Sequence, residues 1–178
     1  ECVQAISSQA DKLQTLIEVL VKTSRLENGI LAVHPESSEI ADVVDHAAAQ
    51  FAAKAAEKRI RLTVSTASGT AVFDPKWTEE ALCNLIDNAV KYTPSGGAIT
   101  IDVVNYEMFS AIRVTDSGPG IAEEDQAKVF GRFYRGAGNY HTEGVGIGLY
   151  LTRQMIEKQD GYVKVESAPG KGSTFSLF

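Results

Sequence analysis

The sequence has few cysteines and no long apolar run. No stretch of about 18 consecutive apolar residues occurs, and the chain does not open with a charged segment followed by an apolar one, so neither a membrane span nor a secretion signal is expected. The two cysteines, Cys2 and Cys83, are far apart, which argues against a disulfide scaffold and fits a reducing compartment, the cytoplasm. Because residue 1 is not methionine and the chain stops in an apolar run, we expect a fragment of a longer protein, in which a membrane anchor could lie outside this stretch.

Basic residues are scarce as well. Lys and Arg number 17 against 23 Asp and Glu, a formal net charge of -6, and no basic run stands out. A nucleic-acid surface or an anionic membrane surface is therefore not expected, and binding of a phosphate-rich ligand must rely on local geometry. With 44% hydrophobic residues and only 5 prolines among 178 residues, the chain suits one globular domain plus an appended element.

The first thirty residues predict a helix that packs against other helices. Six apolar or small residues step by 3 or 4 positions and form a heptad seam: Val3, Ile6, Ala10, Leu13, Ile17 and Leu20. Leu16 and Val21 widen the seam, which favours a helical bundle, and Gly29 is the expected stop. The alternative is a helix that packs on its own domain. We therefore expect a bundle-type helix over residues 1–30 and a globular domain over 35–178.

The rest of the chain alternates between helix and strand patterns. Ser37 or Ser38 is expected to cap a first helix, and Asp74 with Pro75 to start a second one, which ends at the run 93–97. We expect strands near 60–64, 98–105, 109–115, 162–167 and 172–178, and a further strand that ends near residue 73. Two further helices are expected near 123–129 and 146–159. These patterns predict an α/β fold, a two-layer sandwich of a mixed sheet with helices on one face.

The second predicted helix carries the stretch NLIDNAVKY, residues 84–92. Four polar residues fall on one arc of roughly 100 degrees: Glu80, Asn84, Asn88 and Lys91. Apolar residues occupy the opposite side: Leu82, Ile86 and Ala89. A helix this apolar on its back should be buried, so two amides and an amine on its other face need partners other than water. Phosphates and a metal ion would supply them.

The stretch DSGPGI, residues 116–121, follows a predicted strand directly. Asp116 is therefore expected at a strand end, where its carboxylate can accept a hydrogen bond from an exocyclic amino group such as that of adenine. Gly118 and Gly120 would permit the backbone to approach the base closely. Taken alone, this stretch is equally well explained as an ordinary turn.

The stretch GVGIGL, residues 144–149, immediately precedes a helix. Side-chain-free residues at a helix N-terminus bind phosphate through backbone N–H groups and the helix dipole. The alternative is glycine required for tight packing of helix on sheet. No GxxxxGK[ST] loop occurs, and the spacing is not GxGxxG, so the common phosphate-binding folds fit poorly.

Between these two stretches lies FGRFYRGAGNYHTEG, residues 130–144, which we interpret as a mobile lid. Phe130 and Phe133 are expected to attach its near end to the core. Arg132 and Arg135 would then reach phosphate oxygens with planar, permanently charged groups. The alternative is a solvated basic loop.

Five motifs occur in the order found in sensor histidine kinases of two-component signalling: NLIDNAVKYTP, DSGPGI, VFGRFYRG, GVGIGLYLT and GKGSTF. The chain therefore resembles their ATP-binding catalytic domain, a Bergerat-type fold of the GHKL superfamily, which is shared with gyrase, mismatch-repair proteins and a heat-shock chaperone. Residues 35–178 resemble that domain, and residues 9–29 resemble the second helix of the dimerisation domain.

The resemblance implies a role for individual residues. Asn88 matches the ligand of Mg²⁺, with Asn84 beside it toward the phosphates of ATP, and such an ion takes most of its other ligands from water and phosphate. Lys91 and Arg135 match phosphate contacts, and Asp116 matches the acceptor of the adenine amino group. Further matches are Tyr92 against the nucleoside, Gly118, Gly120, Ile121 and Leu149 around the base, Thr174 near the adenine edge, Arg132 in the lid, and Gly144, Gly146 and Gly148 under the phosphates.

Position 84 separates the kinases from ATP-hydrolysing relatives, which have a glutamate there that activates water. Asn84 cannot act as a base, so the resemblance implies phosphoryl transfer to a protein nucleophile, assisted by Asn84, Lys91 and Arg135. In the family the nucleophile is a histidine on the first helix of the dimerisation domain. None of the three histidines here, His34, His46 or His141, has its local pattern, so this chain alone should not phosphorylate itself.

The intact protein is accordingly expected to be a homodimer that phosphorylates a histidine and then an aspartate in the receiver domain of a response regulator. One alternative is a serine kinase of the anti-sigma-factor type, against which the heptad seam counts. The other is a non-catalytic docking module that binds nucleotide.

Overall fold

The computed structural model describes residues 13, 14, 17, 20, 21, 23, 24, 32–65, 69–136 and 145–178. The chain divides between Ala32 and Val33 into two compact units. In the first unit the described residues between 13 and 24 are helical, and Leu13, Ile17 and Leu20 are 54–60% exposed. The earlier seam positions and the expected stop at Gly29 lie outside the described residues, so the assignment of 1–30 to a dimerisation domain stays a prediction.

The second unit contains seven strands, four α-helices and a short 3₁₀ turn within its described part. In chain order these are β1 (Glu36–Glu39), α1 (Ile40–Glu57), β2 (Arg61–Ser65), β3 (Thr70–Phe73), α2 (Pro75–Tyr92), β4 (Ala98–Asn105), β5 (Ser110–Asp116), α3 (Glu123–Gln126), the 3₁₀ turn (Lys128–Phe130), α4 (Gly148–Glu157), β6 (Val163–Ser167) and β7 (Ser173–Leu177). None of the described helices combines the length and apolarity that crossing a membrane requires.

Five strands form a mixed sheet in the order β2-β4-β5-β7-β6, in which only β2 and β4 run parallel. A continuous apolar row crosses all five strands: Val64, Ile101, Val114, Phe175 and Val165. On β4 the residues of this face are buried, whereas their neighbours on the other face are partly exposed. Helices α1, α2 and α4 pack side by side against the buried face. The predicted fold class, a two-layer α/β sandwich, is confirmed.

Helix α2 is the middle helix, and its limits follow from local sequence. The Asp74 carboxylate caps it by accepting a hydrogen bond from the Trp77 amide at 3.1 Å, and Pro75 takes the first helical position, where no amide donor is needed. The helix ends at Tyr92, before Pro94. Its buried side is apolar apart from one threonine, and comprises Trp77, Thr78, Ala81, Leu82, Leu85, Ile86, Ala89 and Val90. The predicted burial of the apolar back of this helix is confirmed.

One prediction about the first elements is wrong, and their pairing was not evident from the sequence. Ser37 and Ser38 do not cap α1, because they lie in strand β1, and the capping position is Glu39, which makes no side-chain cap. Strands β2 and β3 do not pair with each other: β3 pairs antiparallel with β1 in a separate two-stranded sheet, and β2 pairs with β4. Pairing over such sequence distances depends on what the tertiary fold brings together, which local patterns do not report.

Candidate functional site

The polar residues of α2 lie on the side away from the sheet core. Glu80, Asn84, Asn88 and Lys91 are all partly exposed, as their shared arc predicted. Asn84 lies next to the start of α4: a Cβ atom built on Gly148, the first residue of α4, would be 3.6 Å from Oδ1 of Asn84. The fold therefore brings the asparagine stretch and the glycine-rich stretch together.

Asn84 also has an unsatisfied polar atom. Its Nδ2 atom is fully buried and has no hydrogen-bond partner among the residues that the structure describes. A buried amide donor without a partner costs about 1–3 kcal/mol, which a ligand oxygen would recover. Helix α4 begins at Gly148 with no side-chain cap, so the N-terminal amides of α4 and the Asn84 amide lie in the same region.

Lys91 is held by an aspartate one turn earlier on the same helix. Its ammonium group pairs with Asp87, whose other carboxylate oxygen lies 2.7 Å from the Lys54 ammonium on α1. Burial alone would raise the pKa of Asp87, but hydrogen bonds and charge from the two lysines outweigh it and hold the pKa below its ordinary value. Lys91 is therefore oriented along the polar face of α2 rather than extended into solvent.

We expect Asp87→Asn to lower the stability at pH 7 by about 0.5–1 kcal/mol, a small value because the two lysines are partly exposed. The folded-state pKa of Asp87 lies below its unfolded value, so its contribution is present above the unfolded value and is lost as pH falls through the folded one. Urea unfolding of both proteins between pH 7 and pH 3 should show the difference shrinking with acidity. A difference that stays constant with pH would contradict the assignment.

Asp116 is the last residue of β5 and is only 7% exposed. Its Oδ1 atom accepts a hydrogen bond from the Gly118 amide at 2.7 Å. Burial raises the pKa of Asp116, while backbone hydrogen bonds from Gly118 and Ser173 act in the opposite direction. A Cβ at Gly118 would lie 2.6 Å from this carboxylate and 3.3 Å from the carbonyl oxygen of Tyr92. The C-terminal end of α2 and the Asp116 carboxylate are therefore neighbours.

Residues 116–121, the Asp116 loop, interlock with residues 168–172, the β6–β7 turn. A Cβ at Gly120 would overlap the carbonyl oxygen of Ala168, and the Gly170 amide donates to Pro119 at 2.7 Å. The protein's own carboxylate and backbone fill the space where side chains at Gly118 and Gly120 would be, which is by itself a reason for glycine at both positions. Close approach of a base stays a prediction.

Thr174, predicted near the adenine edge, does not share a face of the sheet with Asp116, and its contact with the base stays a prediction. In the register of β5 and β7, Asp116 is opposite Ser173, whereas Thr174 is opposite Thr115 and their hydroxyl groups are 3.0 Å apart on the other face of the sheet. Successive strand residues alternate between faces, so an error of one position moves the side chain to the opposite face. Sequence reasoning missed Ser173 and also Ser167, which pairs with it across β6 and β7.

The near end of the predicted lid is only partly as expected. Phe130 is buried and packs edge-on against Phe175 at 6.2 Å between ring centroids. Phe133 does not attach to the core: it is 58% exposed and has a positive φ of 59°. The Arg132 guanidinium donates to the Tyr150 hydroxyl at 2.7 Å and lies over its ring at 4.6 Å, so it is engaged with α4 in this structure.

The remaining site residues surround this region. Ile121, Leu149 and Tyr92 are partly exposed, as expected of residues that line an open site. A Cβ at Gly146 would be 2.6 Å from the Tyr134 carbonyl oxygen and 3.2 Å from Cγ of Arg135, so the described first part of the predicted lid lies against this glycine.

One residue of the site prediction, Gly144, and one of the three histidines, His141, fall where no structure is described. Gly144 and His141 lie in 137–144, outside the described residues. The helix predicted near 146–159 begins at Gly148 rather than at Gly146, which precedes it in an irregular segment.

A separate groove of about 430 Å³ lies between α1 and β2. It is lined by one aspartate and eight apolar residues: Asp45, Ala48, Ala49, Ala52, Ala55, Ala56, Ile60, Leu62 and Val64. None of the predicted site residues contributes to it, and its single polar side chain offers little to recognise a charged ligand. The predicted site residues Asn84 and Asp116 instead lie between α2, α4 and the end of β5.

Comparisons with known proteins indicate the family of this chain. A family model described as histidine kinase-, DNA gyrase B- and HSP90-like ATPase matches residues 73–178. The sensor protein kinase PmrB of Pseudomonas aeruginosa is 29% identical over 174 residues, 97% of this chain and 36% of PmrB. The sensor-like histidine kinase SenX3 of Mycobacterium bovis is 33% identical over 172 residues, 95% of this chain and 42% of SenX3. This chain therefore spans less than half of either relative.

Among solved structures, the Acinetobacter baumannii histidine kinase AdeS superposes with a TM-score of 0.81 at 25% sequence identity, covering 98% of this chain and 81% of that chain. The family model covers more than half of the 178 residues and includes the asparagine stretch, the Asp116 loop and the glycines before α4. The chain therefore belongs to the histidine kinase-, DNA gyrase B- and HSP90-like ATPase family, in agreement with its resemblance to sensor histidine kinases.

Proposed function

We propose that this chain is the ATP-binding catalytic part of a sensor histidine kinase. The observation that carries the proposal is the convergence of three chemically different groups on one side of α2. Asn84, with a buried and unpaired amide, lies beside Gly148 at the uncapped start of α4. Asp116, a buried acceptor, lies beside the other end of α2. One end of this region suits phosphates and the other suits a base with an amino donor.

Each group has a role that matches its chemistry. Asp116 accepts the exocyclic amino hydrogen of adenine, with Ile121 and Leu149 as apolar walls and Tyr92 against the nucleoside. The amides at the start of α4, with Gly146 and Gly148, hold phosphate oxygens through N–H groups and the helix dipole. Lys91 and the two lid arginines, Arg132 and Arg135, neutralise phosphate charge, and Gly144 completes the predicted set.

A magnesium ion fits the donor set if the nucleotide supplies most of its ligands. The described residues contain no group of three or more His, Cys, Asp or Glu side chains that could hold a metal by themselves. One amide oxygen, that of Asn88, is then sufficient, because Mg²⁺ is commonly held by few protein ligands together with phosphates and waters. When bound, the ion would neutralise charge on the phosphates, and the part of Asn88 is to orient it.

The reaction we propose is transfer of the γ-phosphoryl group to a histidine outside this chain and from there to an aspartate of a response regulator. Asn84 stands where a water-activating carboxylate would be needed for hydrolysis, and an amide cannot accept a proton at neutral pH. Positioning and charge neutralisation by Asn84, Lys91 and Arg135 are what an in-line transfer requires.

Dimerisation through the N-terminal helix completes the proposal for the intact protein. Leu13, Ile17 and Leu20 share one helical face and are 54–60% exposed. An apolar face of this kind is covered when a second copy supplies the facing helix. We also propose a cytoplasmic location for the chain, which the two cysteines far apart in the sequence fit.

Calorimetric titration with ATP and Mg²⁺ tests the site. We expect saturable binding that Asp116→Ala weakens roughly tenfold to hundredfold, the loss of one hydrogen bond to a charged group. Asn88→Ala should weaken binding in Mg²⁺ and have little effect when EDTA removes the ion. Asp42→Ala, on the exposed side of α1, is the control that should bind as the unmodified chain does. Unchanged affinity in both site variants would refute the proposal.

Phosphotransfer separates the kinase from its alternatives. The full-length parent incubated with ATP should carry acid-labile phosphate on a histidine, whereas a serine kinase would give acid-stable phosphate on its substrate. A docking module would bind nucleotide without giving either product.

A further inference from the structure

The hydroxyl group of Ser167 lies at the junction of the Asp116 loop and the β6–β7 turn. Its Oγ atom accepts a hydrogen bond from the Ile121 amide at 2.8 Å and donates one to the Gly172 carbonyl oxygen at 2.7 Å. It also lies 3.0 Å from Oγ of Ser173. Gln126 reinforces the same junction, because its side-chain amide donates to the backbone carbonyls of Ser167 and Ile121.

Counting donors and acceptors fixes the direction of the Ser167–Ser173 hydrogen bond. A serine hydroxyl has one hydrogen and two acceptor lone pairs. Ser167 gives its hydrogen to Gly172, because a carbonyl oxygen can only accept, and one lone pair is used by the Ile121 amide. The remaining contact must therefore be donated by Ser173. The Ser173 hydroxyl hydrogen points toward Ser167, which leaves Ser173 only acceptor lone pairs for any other partner.

This orientation matters because Ser173 shares a face of the sheet with Asp116. The two residues are directly opposite each other in the β5–β7 ladder, and both are 7% exposed. Two neighbouring groups that both accept hydrogen bonds favour a ligand edge that donates, such as the amino group of adenine. They disfavour a purine with a carbonyl oxygen at the same position, because acceptors would then face an acceptor.

We propose that Ser167 is a positioning residue for base selection: it orients the Ser173 hydroxyl as an acceptor and fixes Ile121, and so makes the site prefer a 6-aminopurine to a 6-oxopurine. The inference rests on the proposed ATP site. Ser167 acts through Ser173 and Ile121 rather than by touching the base.

The test compares ATP with inosine triphosphate, which differs in having an oxygen in place of the amino group. For Ser167→Ala we expect ATP affinity to fall roughly threefold to tenfold, the range of one net hydrogen bond. Affinity for inosine triphosphate should fall less, because Ser173 becomes able to donate, so the ratio of the two affinities decreases. Ser167→Thr, which keeps the hydroxyl, should show the same ratio of ATP affinity to inosine triphosphate affinity as the unmodified chain. Ser110→Ala removes a serine hydroxyl bonded to Asn105 at the other end of β5 and is the matched control.

A double-mutant cycle then tests the route. If Ser167 acts mainly through Ser173, Ser167→Ala should change the ratio little in a Ser173→Ala background. Should Ser167→Ala not fold, Ser167→Cys keeps the volume with only a weak hydrogen-bonding group and should show the same loss of preference. An unchanged ratio in a folded Ser167 variant would overturn the proposal, even if both affinities fall together. Absence of ATP binding by the unmodified chain would instead refute the ATP site itself.

Discussion

Replacing Gly172 with alanine is expected to destabilise the domain by about 3–5 kcal/mol, which combines backbone strain with overpacking. Gly172 has a φ of 81°, and a Cβ at this position would overlap the carbonyl oxygen of Asp116. Backbone atoms of two paired strands cannot move apart without breaking the ladder between Asp116 and Ser173. Thermal unfolding should show a fall of the midpoint by roughly 6–20 °C, and nucleotide affinity should fall with it because Asp116 is displaced.

Gly170 provides a matched control two residues earlier in the same turn. Its φ is 76°, but a Cβ there would meet nothing within 4 Å. Gly170→Ala therefore carries the backbone strain without the overlap, and we expect a loss of about 1–2 kcal/mol. If the two alanine variants unfold at the same temperature, the overlap with Asp116 does not determine the requirement for glycine at position 172.

The second large effect is expected for Asp74→Ala, with a loss of about 2 kcal/mol. Asp74 is 6% exposed and caps α2 through the Trp77 amide at 3.1 Å. Its other carboxylate oxygen accepts from the His34 amide at 2.8 Å, and its own amide donates to the Gln159 side chain at 2.7 Å. Removing the carboxylate leaves two amide donors without their acceptor at the start of the helix that carries the candidate site.

Asp74→Asn distinguishes the cap from the tether to His34. The amide oxygen of asparagine can still accept from Trp77, whereas its NH₂ group would face the His34 amide, which is also a donor. We expect roughly half of the alanine loss, and a fall in the unfolding midpoint of roughly 4–8 °C for alanine. Equal losses for both substitutions would show that the bond to His34, not the cap, dominates.

The sequence predicted best where structure depends on nearby residues. Helix α2 was located by Asp74, Pro75 and an apolar period that its buried side confirms. The hairpin of β4 and β5 was found for the same reason, since two apolar runs are separated by a short turn. Capping, turn chemistry and periodicity act over a few residues, so the chain itself contains the information.

Long-range pairing was not available from these patterns. Strand β1 was missed because residues 36–39 have no apolar alternation and gain their conformation from Thr70–Phe73. The pairing of Ser173 with Asp116 was missed because the sequence indicates the strand but not its register. Phe133 was expected in the core because its side chain is apolar, yet its backbone has a positive φ and the side chain is exposed to solvent.

By itself the sequence determined which polar groups and glycines are predicted to bind the nucleotide: two asparagines and a lysine on one face of a helix, an aspartate after a strand, and glycines before another helix. Only the tertiary structure decided that Asn84 meets Gly148, that Asp116 faces Ser173 rather than Thr174, and that Arg132 rests on Tyr150. The reason is physical: periodicity within a helix or strand assigns a face to each residue, but which faces meet depends on the register and packing of elements distant in the chain.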